Sequence, residues 1–600
     1  MWQGKKYEKV IWYGICVAII GFTLLGYIKG IFISSDIDES YALAQSYRLA
    51  TGDKLFLHMW EPHQLSAFLS AIFIKIYLAI FGTTDYLIIY LRIIGIIIHS
   101  STGIWLYNVI KKDFSEKISL LVLFLHLNFL PKWVHMPEFE LMHYWFVLMT
   151  FLLLYGYFST EKRGFIKPAL AGVCIVGSMM SYPTMILLYP FLIVGLCILE
   201  KQKFGSQGIK KFRSSLYLTT GALISGCGFL AFLLSYQSVS EFFENVSYIF
   251  LDESHSMEEN ALKWQYFKAE GLEHISIYFE HMGIALIMVA AVLIIRAVIM
   301  WLKEKSFKNY MTKKGVEFVL ISLMTLTAVL IEINQLYGSV FQDENQFYLL
   351  IRYVAIIIPA VYLGIKYHKQ VGLIFWLCII PGIVSYVAAL LLTNMSINAC
   401  YAKMFVGVVG SILLLSWYVK NMIPQSAVKS GEVLIYALIA GLLCGFFVCK
   451  VVLIRVTGCL PVTIKAPLCQ MEDGPAKGVY VLNTDGIVWN ENYEILREYI
   501  KQDDKLLYIG PENSIYPAME CVVASPSTQG TTIYNEMFIY YYEKNTDRIP
   551  NVIVIDKTYE SNPIYHYSDS NQVLLNWLEE NFKDVTIVET NYMKIIRVQE

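Results

Sequence analysis

The sequence predicts a polytopic α-helical membrane protein that ends in a soluble α/β domain, and two observations carry that prediction. Of its 600 residues 56% are hydrophobic and only 16% charged, and the mean hydropathy is +0.51, a balance that suits lipid better than water. After Arg455 the pattern changes: from Thr457 to Glu600 short apolar runs alternate with amphipathic stretches between Asn, Asp, Gly and Pro turns. The chain therefore divides into a membrane domain over 1–455, with a first outer loop over 33–84, and an extracytoplasmic domain over 456–600.

The N-terminal apolar run from Val10 to Phe32 follows Lys5, Lys6 and Lys9. It is too long for a signal-peptide core and has no small-residue cleavage site, so it reads as an uncleaved first span with its N-terminus in the cytoplasm. Lysine and arginine mark inner loops. They cluster at Lys111, Lys112 and Lys117; at Lys162, Arg163 and Lys167; at Lys201, Lys203, Lys210, Lys211 and Arg213; at Lys303, Lys305, Lys308, Lys313 and Lys314; then at Lys366 with Lys369 and Lys420 with Lys429. The loops between them carry acids instead: Glu138 and Glu140, the stretch from Glu241 to Glu280, and Gln342-Asp343-Glu344-Asn345. This alternation holds only if the apolar segment His63 to Gly82 does not cross but lies along the outer surface. Roughly thirteen spans then follow, each near the ~20 residues a bilayer requires, and the C-terminal domain falls outside.

In that domain the strand candidates are Gly478 to Leu482, Leu506 to Ile509, Asn551 to Ile555 and Val585 to Val588. Tyr493 to Gln502 and Asn571 to Asn581 have helical spacing. A net charge of −2 and the lack of a basic run with interleaved aromatics exclude a nucleic-acid partner. Of the eleven cysteines, Cys16, Cys174, Cys197, Cys227, Cys378, Cys444 and Cys449 sit in apolar runs, where cysteine acts as a small hydrophobe. Cys459, Cys469 and Cys521 leave room for one disulfide or for none.

Between the first two apolar runs lies Asp36-Ile37-Asp38-Glu39-Ser40-Tyr41, three carboxylates at the edge of hydrocarbon. Charge held there is costly without water or a partner, so the cluster is either a solvated loop cap or a functional site. Several landmarks follow it in order. They are Gly52-Asp53, Glu61-Pro62-His63-Gln64-Leu65, Phe81-Gly82, Arg92, Met136-Pro137-Glu138, and Arg352-Tyr353 with Pro359. Together with Asp38-Glu39 this series resembles the GT-C glycosyltransferases that use lipid-phosphosugar donors, the group of protein O-mannosyltransferases and aminoarabinose transferases. The ending Asn581-Phe582 and Tyr592-Met593-Lys594-Ile595 is similar to the outer domain of many bacterial members. The chain departs from the pattern at Pro62, where the family has lysine, at Glu138, where it has aspartate, and at Ser181-Tyr182-Pro183-Thr184.

The resemblance implies transfer of a hexose or pentose from a polyprenyl-phosphate donor to an extracytoplasmic glycan, lipid or protein, with no cofactor. It places the catalytic base at Asp38, with Glu39, Asp36 and Glu138 as further acids. A carboxylate in reach of the acceptor hydroxyl contributes roughly 10²–10⁴-fold. Arg92, Arg352 and Lys403 are candidates for the donor phosphate, and His63 for its orientation. The alternatives are ion pairs of Arg92 and Arg352 with Glu138 or Asp343, and interfacial snorkelling of Lys403. Tyr41, Glu61 and Tyr353 are expected to line the substrate site. Tyr41, Trp60 and Trp133 suit either sugar stacking or the interfacial belt. His58, Glu61 and His63 would allow a divalent ion and His135 and His143 flank the second acidic motif, but no zinc spacing occurs and no metal is assigned. A transporter or flippase for a lipid-linked glycan also fits the span count, although no internal repeat is evident.

Overall fold

The computed structural model describes residues 2–600 apart from 34–36, 132–133, 162, 250–259, 305–312, 342–349, 394, 456–460, 464–465, 511, 529–535, 558–575, 583–584 and 599–600. In hydrocarbon each backbone polar group must be satisfied within its own segment, and the apolar runs accordingly fold as helices. In chain order these are α1 (Trp2–Phe32), α2 (Ile37–Thr51), α3 (Ala67–Phe81), α4 (Leu87–Ile110), α5 (Glu116–Asn128), α6 (Phe139–Phe158), α7 (Ile166–Ser181), α8 (Leu188–Phe204) and α9 (Arg213–Leu233). There follow α10 (Val239–Ile249), α11 (Asn260–Glu304), α12 (Lys313–Phe341), α13 (Ile351–Lys366), α14 (His368–Ile374), α15 (Ile380–Leu392), α16 (Phe405–Asn421) and α17 (Gln425–Phe447).

Among the described residues eleven helices are long and apolar enough to cross a membrane, so the chain is a multi-pass membrane protein. The number is below the roughly thirteen expected because α5, α7 and α13 have only 13, 16 and 16 residues. The eleven include Gln64–Phe81, the segment expected to lie on the surface. Its two ends are tied to the same domain. Before it, Trp60 N–H donates to the Pro526 carbonyl and Glu61 accepts from Thr528; after it, Thr84 Oγ1 donates to the Pro517 carbonyl. A 15-residue helix is ~22 Å long, so α3 runs along the face that carries the C-terminal domain.

The helices sort by burial. α6 and α16 form the centre of the bundle, with 83% and 89% of their apolar windows buried, whereas α1 and α9 bury 22% and 17% and turn Val10, Ile20, Leu223 and Ile224 outward. The closest approach is between α4 and the segment before α6: a Cβ on Gly95 would lie 1.4 Å from the His135 carbonyl oxygen. That contact holds the second acidic motif against α4.

The C-terminal domain contains β1 (Leu453–Arg455), β2 (Pro461–Thr463), β3 (Leu468–Gln470), β4 (Tyr480–Leu482), α18 (Asn483–Tyr499), β5 (Lys505–Ile509), α19 (Ile515–Met519), β6 (Val522–Val523), α20 (Glu536–Lys544), β7 (Val552–Asp556), β8 (Val585–Glu589) and β9 (Met593–Val598). Its main sheet has the order β6-β5-β7-β9-β8; β5 pairs in parallel with β6 and β7, while β9 is antiparallel to β7 and β8. The parallel strands β5 and β7 are buried almost throughout, as strands covered on both faces must be. α18 begins ten residues before the expected Tyr493 because β4 runs straight into it. Residues 571–575, the first part of the other expected helix, lie outside the described residues.

Trp60 reaches from the first outer loop into this domain. It is fully buried with Leu507, Ile509, Tyr541 and Ile553, stacks on Tyr248 at 4.5 Å and meets Tyr541 edge-on at 5.2 Å. It is an interdomain plug, which corrects its expected place in a sugar site or an interfacial belt.

Gly95→Ala is expected to lower the thermal unfolding temperature in detergent sharply, since overpacking costs about 1–3 kcal/mol or more. Gly14→Ala, with open space around its Cα, serves as the neutral control. Equal melting of both variants and wild type would remove the α4 contact as a determinant of the fold.

Candidate functional site

α2 starts with acids, Asp38 and Glu39, in its first turn, where the helix dipole favours them. Glu39 is buried and bound in a fork by Arg92 of α4, Nε to Oε1 at 2.7 Å and Nη2 to Oε2 at 2.6 Å. Arg92 Nη1 donates to the carbonyls of Gly30 and Ile31 at 3.1 and 3.0 Å, at the end of α1. Arg92 therefore joins α1, α2 and α4, and its donors are engaged by the protein. Of the ion-pair partners expected for Arg92, Glu138 and Asp343, neither is the one found here; its partner is Glu39. Glu39 is thus an ionised carboxylate whose charge Arg92 compensates. Asp38, beside it, is half-buried. Asp36, Trp133 and Asp343 lie outside the described residues.

Glu138 caps α6: Oε2 accepts from Glu140 N–H at 2.8 Å and Oε1 from Leu141 N–H at 2.7 Å. Its carboxylate stabilises the start of that helix. The next acid, Glu140, pairs with Lys403 in the turn that leads into α16, and the Lys403 ammonium lies 3.8 Å from the Tyr182 ring centroid. Lys403 is thus a buried, paired cation and does not snorkel. Glu140, Lys403, His143, Tyr144 and Pro131 line a small recess between α6 and α16.

An aromatic row connects this pair to α2. His63 stacks on Phe139 at 4.3 Å and lies 5.8 Å from Tyr182, and the Tyr41 ring approaches His63 edge-on at 6.3 Å. The turn carrying Asp38, the row Tyr41–His63–Phe139–Tyr182 and the Glu140–Lys403 pair thus form one continuous group on the domain side of the bundle.

Arg352 is elsewhere. Its Nε donates to both carboxylate oxygens of Glu332 at 3.1 Å and its Nη2 to Oε2 at 2.7 Å, a buried pair between α13 and α12. Tyr353 is fully buried against Tyr401 and Phe405, at 5.3 and 6.0 Å. The partner of Arg352 is thus Glu332, where Glu138 or Asp343 was expected as the alternative to a phosphate. The clue available in the sequence was Glu332 itself, an acid within an apolar run that needs a buried cation.

Glu61 is also structural. It is fully buried, accepts from Thr528 N–H and Oγ1 at 2.9 Å each, and faces Arg48 Nη1 at 3.3 Å. Arg48 Nε donates to Asp53 at 2.7 Å, and Asp53 pairs with Arg548 at 2.7 Å. Glu61 and Asp53 thus latch the loop before α3 onto the C-terminal domain. Burial raises the Glu61 carboxyl above the usual range, opposed by Arg48 and the Thr528 hydrogen bonds. Among the described residues no group of three or more His, Cys, Asp or Glu is arranged to hold a metal ion.

One acid escaped the sequence reading. Glu512, in the loop from β5 to α19, accepts from Ser514 N–H and Oγ, and burial raises its carboxyl above the usual range, with the charge of Glu39 adding to the effect. Its signal was position: Gly510-Pro511-Glu512-Asn513-Ser514 directly follows a strand candidate, where α/β sheets place functional loops.

No family model and no curated protein matches the chain. Solved structures similar to it include the oligosaccharyltransferase AglB of Archaeoglobus fulgidus in complex with an inhibitory peptide and a dolichol-phosphate, at 12% identity and a TM-score of 0.45 over 99% of this chain and 75% of that one. ArnT from Cupriavidus metallidurans bound to undecaprenyl phosphate is similar at 11% identity and a TM-score of 0.42, over 97% of this chain and 98% of that one. Likeness at this level carries no weight for the chemistry of the site.

Removing Arg92 should strand Glu39 in the bundle at a cost of about 3–5 kcal/mol. Arg92→Met is therefore expected to melt far below wild type, and Glu39→Gln added to it should recover part of the loss; strictly additive losses in this cycle would refute the pair. His58, in the latch, has its pKa lowered from 6.5 to about 4, chiefly by burial, with Asp53 pulling it up and Arg548 and Arg48 pushing it down. A depressed histidine contributes stability above its unfolded pKa that is lost as pH falls through the folded one. Between pH 6.5 and about 4, wild type should lose melting temperature more steeply than His58→Gln. Parallel curves would exclude His58 from the pH response.

Proposed function

We propose that this protein is a membrane glycosyltransferase that takes a sugar from a polyprenyl-phosphate-linked donor and passes it to a hydroxyl of an extracytoplasmic acceptor. The observation that carries the reading is the state of Asp38. It is a half-buried carboxylate beside a Glu39 whose charge Arg92 compensates, at the head of an aromatic row that ends at a buried ammonium.

In this reading Asp38 accepts the acceptor's proton as its oxygen attacks the anomeric carbon. The bond from that carbon to the phosphate oxygen breaks, and the electron pair leaves with the polyprenyl phosphate. Because Glu39 is held by Arg92, the proton is drawn to Asp38 and not shared between neighbouring carboxylates. Lys403 is the cation we assign to the leaving phosphate, since Arg92 and Arg352 are bound in forks by Glu39 and Glu332. An ammonium acts as a point charge and can serve Glu140 and a phosphate oxygen together. Tyr41 and Tyr182, 4% and 2% exposed, pack with His63 as an aromatic wall of the kind that binds sugar rings. No metal or other cofactor is assigned to the step.

The orientation is proposed on charge. α4 begins against the C-terminal domain, where Ile88 N–H donates to the Pro475 carbonyl, and ends at Lys111 and Lys112. The lysine-rich end is then cytoplasmic, and the domain and Asp38 lie outside.

Membranes carrying the full chain, supplied with a panel of labelled polyprenyl-phosphate sugars, provide the test. Asp38→Asn should lower turnover by about 100-fold or more while donor binding stays within a few-fold, the signature of a group acting in the transition state. Turnover close to wild type would remove Asp38 as base, and failure of every donor to transfer sugar with the wild-type protein would overturn the assignment as a transferase.

A further inference from the structure

Where α17 leads into the C-terminal domain it is extended by a π-helical turn, Val448–Val452, which packs against α1. Two lysines meet in this seam. Lys29 of α1 donates to the Val451 and Leu453 carbonyls, and Lys450 lays its stem on Gly26 and donates to the Leu127 carbonyl of α5 at 3.3 Å. Among the described residues neither forms an ion pair, in contrast to Arg48, Arg92, Arg352 and Lys403. Yet Lys450 is only 7% exposed.

Donors outnumber acceptors here. An ammonium carries three N–H groups; Lys450 has one engaged and Lys29 two, and the Leu127 carbonyl also takes the Tyr27 hydroxyl at 3.0 Å. His135, 1% exposed, has no hydrogen-bond partner at either ring nitrogen. It lies edge-on to the Tyr27 ring at 4.8 Å, and the Lys450 ammonium lies 5.4 Å from the centroid of the same ring.

The charge is unbalanced as well. The carbonyls that receive the two lysines lie at the ends of α5 and of the α17 turn, and each helix C-terminus is equivalent to roughly −0.5 of a charge, so about one positive charge is left uncompensated. A lone charge beside hydrocarbon is costly. The seam also faces lipid, since Leu25 and Ile28 of α1 and Val452 beside them are exposed. An anion of about one charge, with several acceptor oxygens and an apolar tail, meets all of these conditions.

We propose that the seam between α1 and α17 binds the phosphate of a membrane lipid, with Lys450 and Lys29 as charged donors to its oxygens and His135 as a neutral N–H donor. The site shares no residue with the Glu140–Lys403 recess.

Native mass spectrometry of the full chain, delipidated in detergent and titrated with undecaprenyl phosphate or phosphatidylglycerol, tests the site; undecaprenol and diacylglycerol, which lack the phosphate, are the controls. Lys450→Met keeps the stem on Gly26 without the charge. It should weaken retention of a phosphate lipid about tenfold or more, the size of a lost charge-assisted hydrogen bond, while Lys450→Arg stays within a few-fold and His135→Phe falls between. Loss of undecaprenyl phosphate in Lys450→Met assigns the site to a carrier lipid, and loss of phosphatidylglycerol alone assigns it to a bulk phospholipid. Lys403→Met is the reference: a copy of undecaprenyl phosphate held at the transfer site should fall in that variant and persist in Lys450→Met. Unchanged retention of both phosphate lipids in Lys450→Met overturns the proposal, as does retention of the phosphate-free controls as strong as that of the phosphate lipids. Should Lys450→Met fail to fold, unchanged retention in His135→Phe overturns it in the same way.

Discussion

The buried fork between Arg92 and Glu39 is the contact on which the candidate site depends. It ties the end of α1, the start of α2 and the first third of α4 at one point. An isolated charge at that depth costs several kcal/mol or more, so the pair specifies how the three helices meet even if its net contribution to stability is small. Asp38 gets its place in the same step, because it precedes Glu39 in the turn that Arg92 holds.

The same constraint explains why the cations of this bundle are engaged. Arg352 pairs with Glu332, Lys403 with Glu140, and Arg48 with Asp53 and Glu61. A guanidinium left waiting for a phosphate would have to stay solvated or destabilise the apo protein. The charge of Lys403 is compensated by Glu140, and its ammonium packs over the Tyr182 ring.

The latch between the outer loop and the C-terminal domain adds a second layer of organisation. Arg48, Asp53, Arg548, Glu61 and Thr528 form a polar seam, and Trp60 inserts beside it into the core of the domain. Charge gives this seam direction and the indole supplies apolar area. The outer loop is thereby folded onto the domain, and the β5–α19 loop reaches α2 as a consequence.

Much of this architecture was legible in the chain. Apolar runs near 20 residues can only be helices in lipid, and the break after Arg455 announced a different solvent. Strands β5 and β7 were readable from Leu506–Ile509 and Asn551–Ile555 because buried parallel strands are nearly continuous apolar runs. The two-residue strand β6 and β9, which lies between β7 and β8, carried too little pattern to be seen. The charged residues Asp38, Glu39, Arg92 and Glu138 could be picked out individually as costly so close to hydrocarbon. What each one does could not be read from order in the chain, because a buried charge is defined by its partner and the partners lie far away in sequence: Glu39 for Arg92, Glu332 for Arg352, Glu140 for Lys403. Sequence determined which residues had to find a counter-charge or a hydrogen bond; only the tertiary structure decided which found it within the protein, since that choice is made by helix packing over distances that local periodicity does not record.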